Sequence, residues 1–221
     1  MSGIGHVVAI DGPAGSGKST ISRLVAERLG LQMLDTGAMY RAVTCAVLRA
    51  GGDVSDGEVA TAAAEQADIS VGSAVVIDGA DVTDEIRGPA VSANVSVVAA
   101  HPGVRRRLVG LQRSWMAEHG GGVVEGRDIG TVVFPDAPLK IFLTASPEVR
   151  ARRRAGEGIV DESTAAANIA ERDRIDSTRD HSPLLAADDA VVVDTSHLSI
   201  EQVVDRIVDE ASARGLGSRR T

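Results

Sequence analysis

The sequence predicts an α/β fold: a five-stranded parallel sheet covered by helices on both faces, interrupted by a small antiparallel insert. Three observations predict it. Short apolar runs rich in β-branched residues alternate with longer segments of helical periodicity, the pattern of strands buried on both faces. The first run, Val7-Val8-Ala9-Ile10, leads into Gly12-Pro13-Ala14-Gly15-Ser16-Gly17-Lys18-Ser19-Thr20, which fits G-x-x-x-x-G-K-[ST] and opens a helix. Between Ile69 and Val82 the strands become brief and meet at Asp78-Gly79, a hairpin turn pair.

The elements follow in order. After the glycine loop, Ile21, Leu24, Val25, Arg28 and Leu29 recur at helical spacing, and Gly30 stops the helix. Met33-Leu34-Asp35 is a second strand ending in an acid. Thr36-Gly37 turns into a helix carrying Met39, Tyr40, Val43, Val47 and Leu48, ended by Gly51-Gly52. Ser55-x-x-Glu58 has the form of a capping box for a short alanine-rich helix. The insert holds strands at Ile69-Ser70-Val71 and Val75-Val76-Ile77. Helices cover Pro89 to Ala100 and Gly103 to His119, with a break near Pro102. Val123-Val124-Glu125-Gly126 and Lys140-Ile141-Phe142-Leu143-Thr144 return to the sheet. Ser146 caps a helix with Pro147 at its first position, and that helix runs through Arg150, Arg152, Arg153 and Arg154 into Gly156-Glu157-Gly158. A polar helix spans Glu162 to Thr178. Val191-Val192-Val193-Asp194 is the last strand. Ser199-x-x-Gln202 then caps a final helix with Ile200, Val203, Val204, Ile207 and Val208 on its apolar face.

Composition narrows the function classes. The chain has 221 residues and a formal net charge of −8, which disfavours non-specific binding to nucleic acid or anionic membranes. Its single cysteine, Cys45, forms no intramolecular disulfide and lies in an apolar helical pattern, as a buried structural thiol does. No apolar run approaches the roughly 20 residues of a membrane span, and no secretory leader is visible, so a cytoplasmic protein is expected. Lysine occurs only at Lys18 and Lys140, against 21 arginines, so each arginine must be judged by its neighbours. The five histidines have no metal-ligand spacing.

In a parallel sheet, ligands gather at the carboxyl ends of the strands. Asp11-Gly12, Asp35, Arg127-Asp128 and Thr144 occupy those ends. In the loop, Gly12 to Thr20 would wrap a nucleotide's phosphates, with Lys18 reaching the β- and γ-phosphates and Ser19 ligating Mg²⁺. Asp11 is expected to brace that loop by hydrogen bonds. Asp35 and Asp128 are further candidates for Mg²⁺, through water, or for the acceptor. Moving a phosphoryl group onto a second phosphate requires arginines from several segments and a lid that expels water. Arg41, Arg127, Arg172 and Arg179 are the candidates. Arg172 and Arg179 are seven apart on the polar helix, with Asp176 between them on the same face. The Arg150 to Arg154 cluster reads as a lid hinge.

Leu34-Asp35-Thr36-Gly37-Ala38-Met39-Tyr40-Arg41, Glu125-Gly126-Arg127-Asp128-Ile129-Gly130-Thr131-Val132-Val133-Phe134-Pro135 and Glu171-Arg172-Asp173, together with Gly12 to Thr20, closely resemble bacterial cytidylate kinase. The likeness runs over nearly the whole chain. It implies a P-loop NTPase-type three-layer fold with a core of about 1–36, 120–150 and 180–221. A nucleotide-monophosphate insert would span about 37–119 and a helical lid about 150–179. It also implies ATP- and Mg²⁺-dependent conversion of CMP and dCMP to the diphosphates, by direct transfer in a closed site between the loop and the insert, in a cytoplasmic monomer. By motif, Arg41, Arg127 and Arg179 would hold the acceptor phosphate. Arg172 and Asp176 would hold the sugar hydroxyls, and Ser96, Arg105 and Asp128 would read the cytosine edge, with Thr36 a further substrate contact. Cytosine offers an amino donor to Asp128 and ring acceptors to Ser96 and Arg105. A kinase of another small metabolite, such as shikimate or dephospho-coenzyme A, is the alternative within the class. The Gly126-Arg127-Asp128 stretch and the insert argue against it. A GTPase-like switch would carry an Asn-Lys-x-Asp reader, and the chain contains no Asn-Lys pair.

Overall fold

β1 (Val7–Asp11) sits in the middle of a five-stranded sheet, between β6 (Gly122–Gly126) and β7 (Leu139–Thr144). β2 (Met33–Asp35) lies outside β6, and β8 (Val191–Asp194) lies outside β7. The computed structural model describes residues 6–156, 161–179 and 182–217. Val8, Ile10, Val123, Leu139, Ile141 and Leu143 are buried because strands covered on both faces leave no side chain for water. α1 (Lys18–Leu29) and α8 (Ile200–Ala213) close one layer over them, with Ile21, Val25, Val203, Val204 and Ile207 turned inward. The expected Ser199–Gln202 capping box forms in both directions. Ile200 departs from expectation. It is the first residue of α8, a turn ahead of Val203, and lies 54% exposed outside the buried stripe.

The register positions the chemistry. Asp11 is opposite Gly126 on one side and Phe142 on the other. Gly12, Arg127 and Asp128 therefore leave neighbouring strands at the same edge. The chain after Asp128 forms a π-helical turn, Ile129–Val133, that the sequence pattern did not announce.

The chain divides into two compact units, Met1–Leu34 with Trp115–Thr221, and Asp35–Ser114. α6 (Pro147–Ala155) and α7 (Glu162–Thr178) pack on each other within the first. The second holds α2 (Thr36–Arg49), α3 (Gly57–Gln66), a three-stranded antiparallel sheet of β3 (Ile69–Val71), β4 (Val75–Ile77) and β5 (Ala80–Asp81), and α4 (Pro89–Val98). α5 (Pro102–His119) begins in it. Its core gathers Ala42, Cys45, Val75, Ile77, Val82, Ile86 and Val91. Asp78 and Gly79 both take positive φ, 51° and 81°, between the paired Ile77 and Ala80, as a type I′ hairpin requires. The expected Ser55 cap does not form. Ser55 bonds back to Asp53, which occupies its hydroxyl, and Asp56 caps α3 by accepting from Glu58 and Val59.

Candidate active site

The loop after β1 turns on Gly12, whose φ is 151°. A Cβ there would lie 2.1 Å from the Leu143 carbonyl oxygen of β7. Gly12→Ala is therefore expected to cost about 2–4 kcal/mol, through both strain and overpacking. A urea unfolding midpoint unchanged from wild type would contradict this. At the far end of the loop, Gly17 is the N-cap of α1 and brings no side chain to the helix's first amides. That N-terminus suits an anion.

Lys18 folds back over the loop. Its Nζ donates to the Pro13 carbonyl at 2.7 Å and to the Ser16 Oγ at 3.4 Å. Burial holds its pKa well below the usual lysine range, and the positive charges of Arg127 and Arg172 push it further down against Glu125 and Asp11. The loop carbonyls are tied from α6. Arg150 donates to the Ala14 carbonyl at 3.1 Å and also pairs with Asp173 of α7. Arg153 donates to the Ser16 carbonyl at 3.2 Å and binds Thr195 through both terminal nitrogens. With these acceptors engaged by cations, loop amides other than that of Ser16, which donates to the Pro13 carbonyl at 3.4 Å, can serve as donors for a ligand. Arg150 and Arg153 are thus anchored to the loop. Residues 157–160 of the glycine-flanked bend lie outside the described residues, as does His181.

Around the loop stand the groups from β6 and α7. Ser19 Oγ donates to Glu125 Oε1 at 2.7 Å. A hydroxyl and a carboxylate oxygen, both hard donors beside a phosphate-binding loop, fit Mg²⁺. Arg127 Nε donates to Asp176 Oδ2 at 3.0 Å, and Arg179 Nη2 lies 3.9 Å from Asp128 Oδ1. Burial pushes the Asp176 carboxyl up, but Arg127, Arg179 and Arg172 outweigh it and hold the carboxyl below its ordinary pKa. α7 ends at Thr178, so Arg179 is extended and does not share the helical face of Arg172. Even so, it comes to Asp128. Asp11 differs from expectation. Its carboxylate takes the backbone amides of Ile129 and Gly130, not those of the glycine loop. The register opposite Gly126 brings it to that turn.

The second unit carries its own polar cluster. Arg41 of α2 donates to the Ile86 carbonyl at 3.0 Å and to Ser92 Oγ at 2.9 Å. Thr36, Ser96 and Arg105 are buried, and the Arg105 guanidinium lies over the Tyr40 ring at 5.8 Å. Asp35 caps α2 by accepting from Ala38. Sequence reasoning missed Glu125 as the partner of Ser19, and Arg150, Arg153 and Thr195 as the frame of the loop. For Glu125 a signal existed: an acid at the carboxyl end of a strand.

Lys18, Arg127, Asp128, Arg172, Asp176 and Arg179 thus converge in the first unit, while Thr36, Arg41, Ser96 and Arg105 belong to the second. A family model described as cytidylate kinase matches residues 8–213. A cytidylate kinase of Mycolicibacterium paratuberculosis is 55% identical over 92% of this chain and 93% of its own length. One from Pelotomaculum thermopropionicum is 53% identical over 93% of this chain and 96% of its own. Among solved structures, a gluconokinase from Sinorhizobium meliloti 1021 shares the fold, with a TM-score of 0.50 at 16% identity over 95% of this chain and 93% of that one. The glycine loop, the Thr36-to-Arg41 and Gly126-to-Val133 stretches and these matches agree, and the chain belongs to the cytidylate kinase family.

Proposed function

We propose that the chain transfers the γ-phosphoryl group of ATP to CMP and dCMP, giving CDP and dCDP. The observation that carries this reading is the glycine loop at the start of α1 with the Lys18 Nζ folded over it, where the charges of Arg127 and Arg172 act on Lys18 against those of Glu125 and Asp11. Cations gathered at a helix N-terminus, offset only in part by Glu125, Asp11 and Asp176, favour an incoming anion. When bound, ATP supplies the phosphoryl group and Mg²⁺ screens the charge on its phosphate oxygens.

The chain's own residues position and neutralise. Lys18 and the loop amides from Gly12 to Thr20 hold the donor phosphates, and the oxygens of Ser19 and Glu125 hold Mg²⁺. Arg127, Arg179 and Arg41 take the acceptor phosphate. That phosphate competes with Asp176 for Arg127, which leaves the Asp176 carboxylate to accept from the sugar hydroxyls beside Arg172. Asp128 accepts from the cytosine amino group, Ser96 and Arg105 donate to its ring acceptors, and Thr36 adds a hydroxyl on the substrate side. No proton need be stored. Positioning and charge neutralisation carry the reaction. The family acts on small nucleotides, and the net charge of −8 fits that class better than nucleic acid. The reading extends to a cytoplasmic monomer.

A coupled assay with ATP tests it against CMP, dCMP, UMP and AMP. CMP and dCMP should turn over, with UMP at least about tenfold poorer in kcat/KM, because its carbonyl would face the Asp128 carboxylate without a donor. Equal use of UMP or AMP would overturn the cytosine assignment.

A further inference from the structure

We propose that Asp11 is a positioning residue for the acceptor nucleotide: its carboxylate fastens the backbone just after Asp128, and so holds Arg127 and Asp128 in their working arrangement. This rests on the assignment of those two residues to the acceptor.

The geometry is specific. Asp11 Oδ1 accepts from the Ile129 amide and Oδ2 from the Gly130 amide, each at 2.8 Å. These are the first two amides of the π-helical turn, and such amides have no partner within their own turn. Asp128, directly before them, takes φ −144° and ψ 27°, which is neither helix nor strand. Its carbonyl accepts from Val132 and Val133, at 2.9 and 3.2 Å. Asp128 is thus gripped from both sides, by the turn it opens and by the end of β1. Gly130 completes the seat, since a Cβ there would lie 3.1 Å from Lys140 Cδ and 3.4 Å from Asp11 Oδ2. Two divergent acceptor oxygens are needed. A carboxamide would turn an NH₂ toward one of the amides.

The carboxylate is retained against stability. Asp11 is 5% exposed, and burial pushes its pKa up to about 6. The Gly130 and Ile129 amides pull the pKa down, Asp128 raises it, and Lys18 lowers it. From β7, Lys140 brings its methylenes against Gly130. Because the folded pKa lies above the ordinary 3.8, the native state binds this proton more tightly than the unfolded chain. The contribution of Asp11 to stability is therefore lost as pH rises from near 4 through about 6. An ionised carboxylate kept in place at neutral pH serves the turn rather than the core.

The test uses the full chain and Asp11→Asn. KM for CMP should rise about tenfold, as loss of one buried charge-assisted hydrogen bond implies, while KM for ATP stays within about twofold. The Ile129 and Gly130 amides should exchange with solvent faster in the variant, with no nucleotide present. In wild type their NMR shifts should titrate together, with a midpoint near 6. The CMP phosphate ionises in the same range, so the KM–pH profile is read as the difference between wild type and Asp11→Asn. Unchanged KM for CMP, a parallel rise in KM for ATP, or equal amide protection would overturn the proposal. Should Asp11→Asn not fold, wild-type Ile129 and Gly130 amides that exchange with solvent as fast as exposed loop amides would overturn it alone. If the acceptor proves to be another monophosphate, its KM replaces that of CMP, and the amide readouts still report on Asp11 by itself.

Discussion

Lys18→Ala is expected to lower kcat by about 10³-fold or more while the protein stays folded, because a preorganised charge on the transferring phosphoryl group acts mainly in the transition state. The fold should tolerate the change for a reason visible in the structure. Lys18 is a buried cation beside Arg127 and Arg172, and its surroundings hold its pKa well below the usual range. Removing it relieves repulsion and leaves the Pro13 carbonyl and Ser16 Oγ, to which it donates, able to take water. A melting temperature within a few degrees of wild type, roughly a 1 kcal/mol change at most, is expected. A coupled assay and a circular-dichroism melt decide the matter. Full turnover would remove Lys18 from the mechanism, and a collapsed melt would make it structural.

Arg127→Met should lower kcat/KM for the acceptor by about 10²–10³-fold, with KM for ATP little changed, since it removes one guanidinium from the acceptor phosphate. It also has a structural signature. Arg127 Nε is bonded to Asp176 Oδ2, in a pair whose side chains are 20% and 5% exposed. Of the charges opposing the burial of Asp176, Arg127 is the largest. The variant should lose about 1–3 kcal/mol at pH 7, less than a fully buried pair would because Arg172 and Arg179 remain. The sign with pH follows from the lowered carboxyl pKa. Asp176 contributes stability above the ordinary pKa of 3.8, and that contribution is lost as pH falls below it. The stability gap between wild type and Arg127→Met should therefore narrow in acid. Urea midpoints measured at pH 7 and near pH 3.5 check this, and a gap that stays constant would mean that the pair contributes nothing through Asp176.

Both effects involve residues that could be found without coordinates, and that marks how far local pattern reaches. The glycine loop, the strand–helix order, the Asp78-Gly79 hairpin and the Ser199 capping box depend on a few adjacent residues, where spacing alone sets backbone shape. Ser55 shows the limit even at short range. Two acids nearby, Asp53 and Asp56, competed for the same hydroxyl and amides and took them. Ile200 shows another: apolar periodicity says which face a residue shares, but not whether the partner layer extends far enough to cover it.

By itself the sequence determined the α/β class, the phosphate-binding loop and the identity of the arginines and acids that gather at the strand ends. Only the tertiary structure decided what they hold. Asp11 serves a turn 118 residues away, Ser19 meets Glu125 across 106, and Arg153 reaches the Ser16 carbonyl across 137. Those pairings follow from strand order and register, with β6 and β7 flanking β1. Register is set by burial of the whole sheet, so no short segment of the chain contains it.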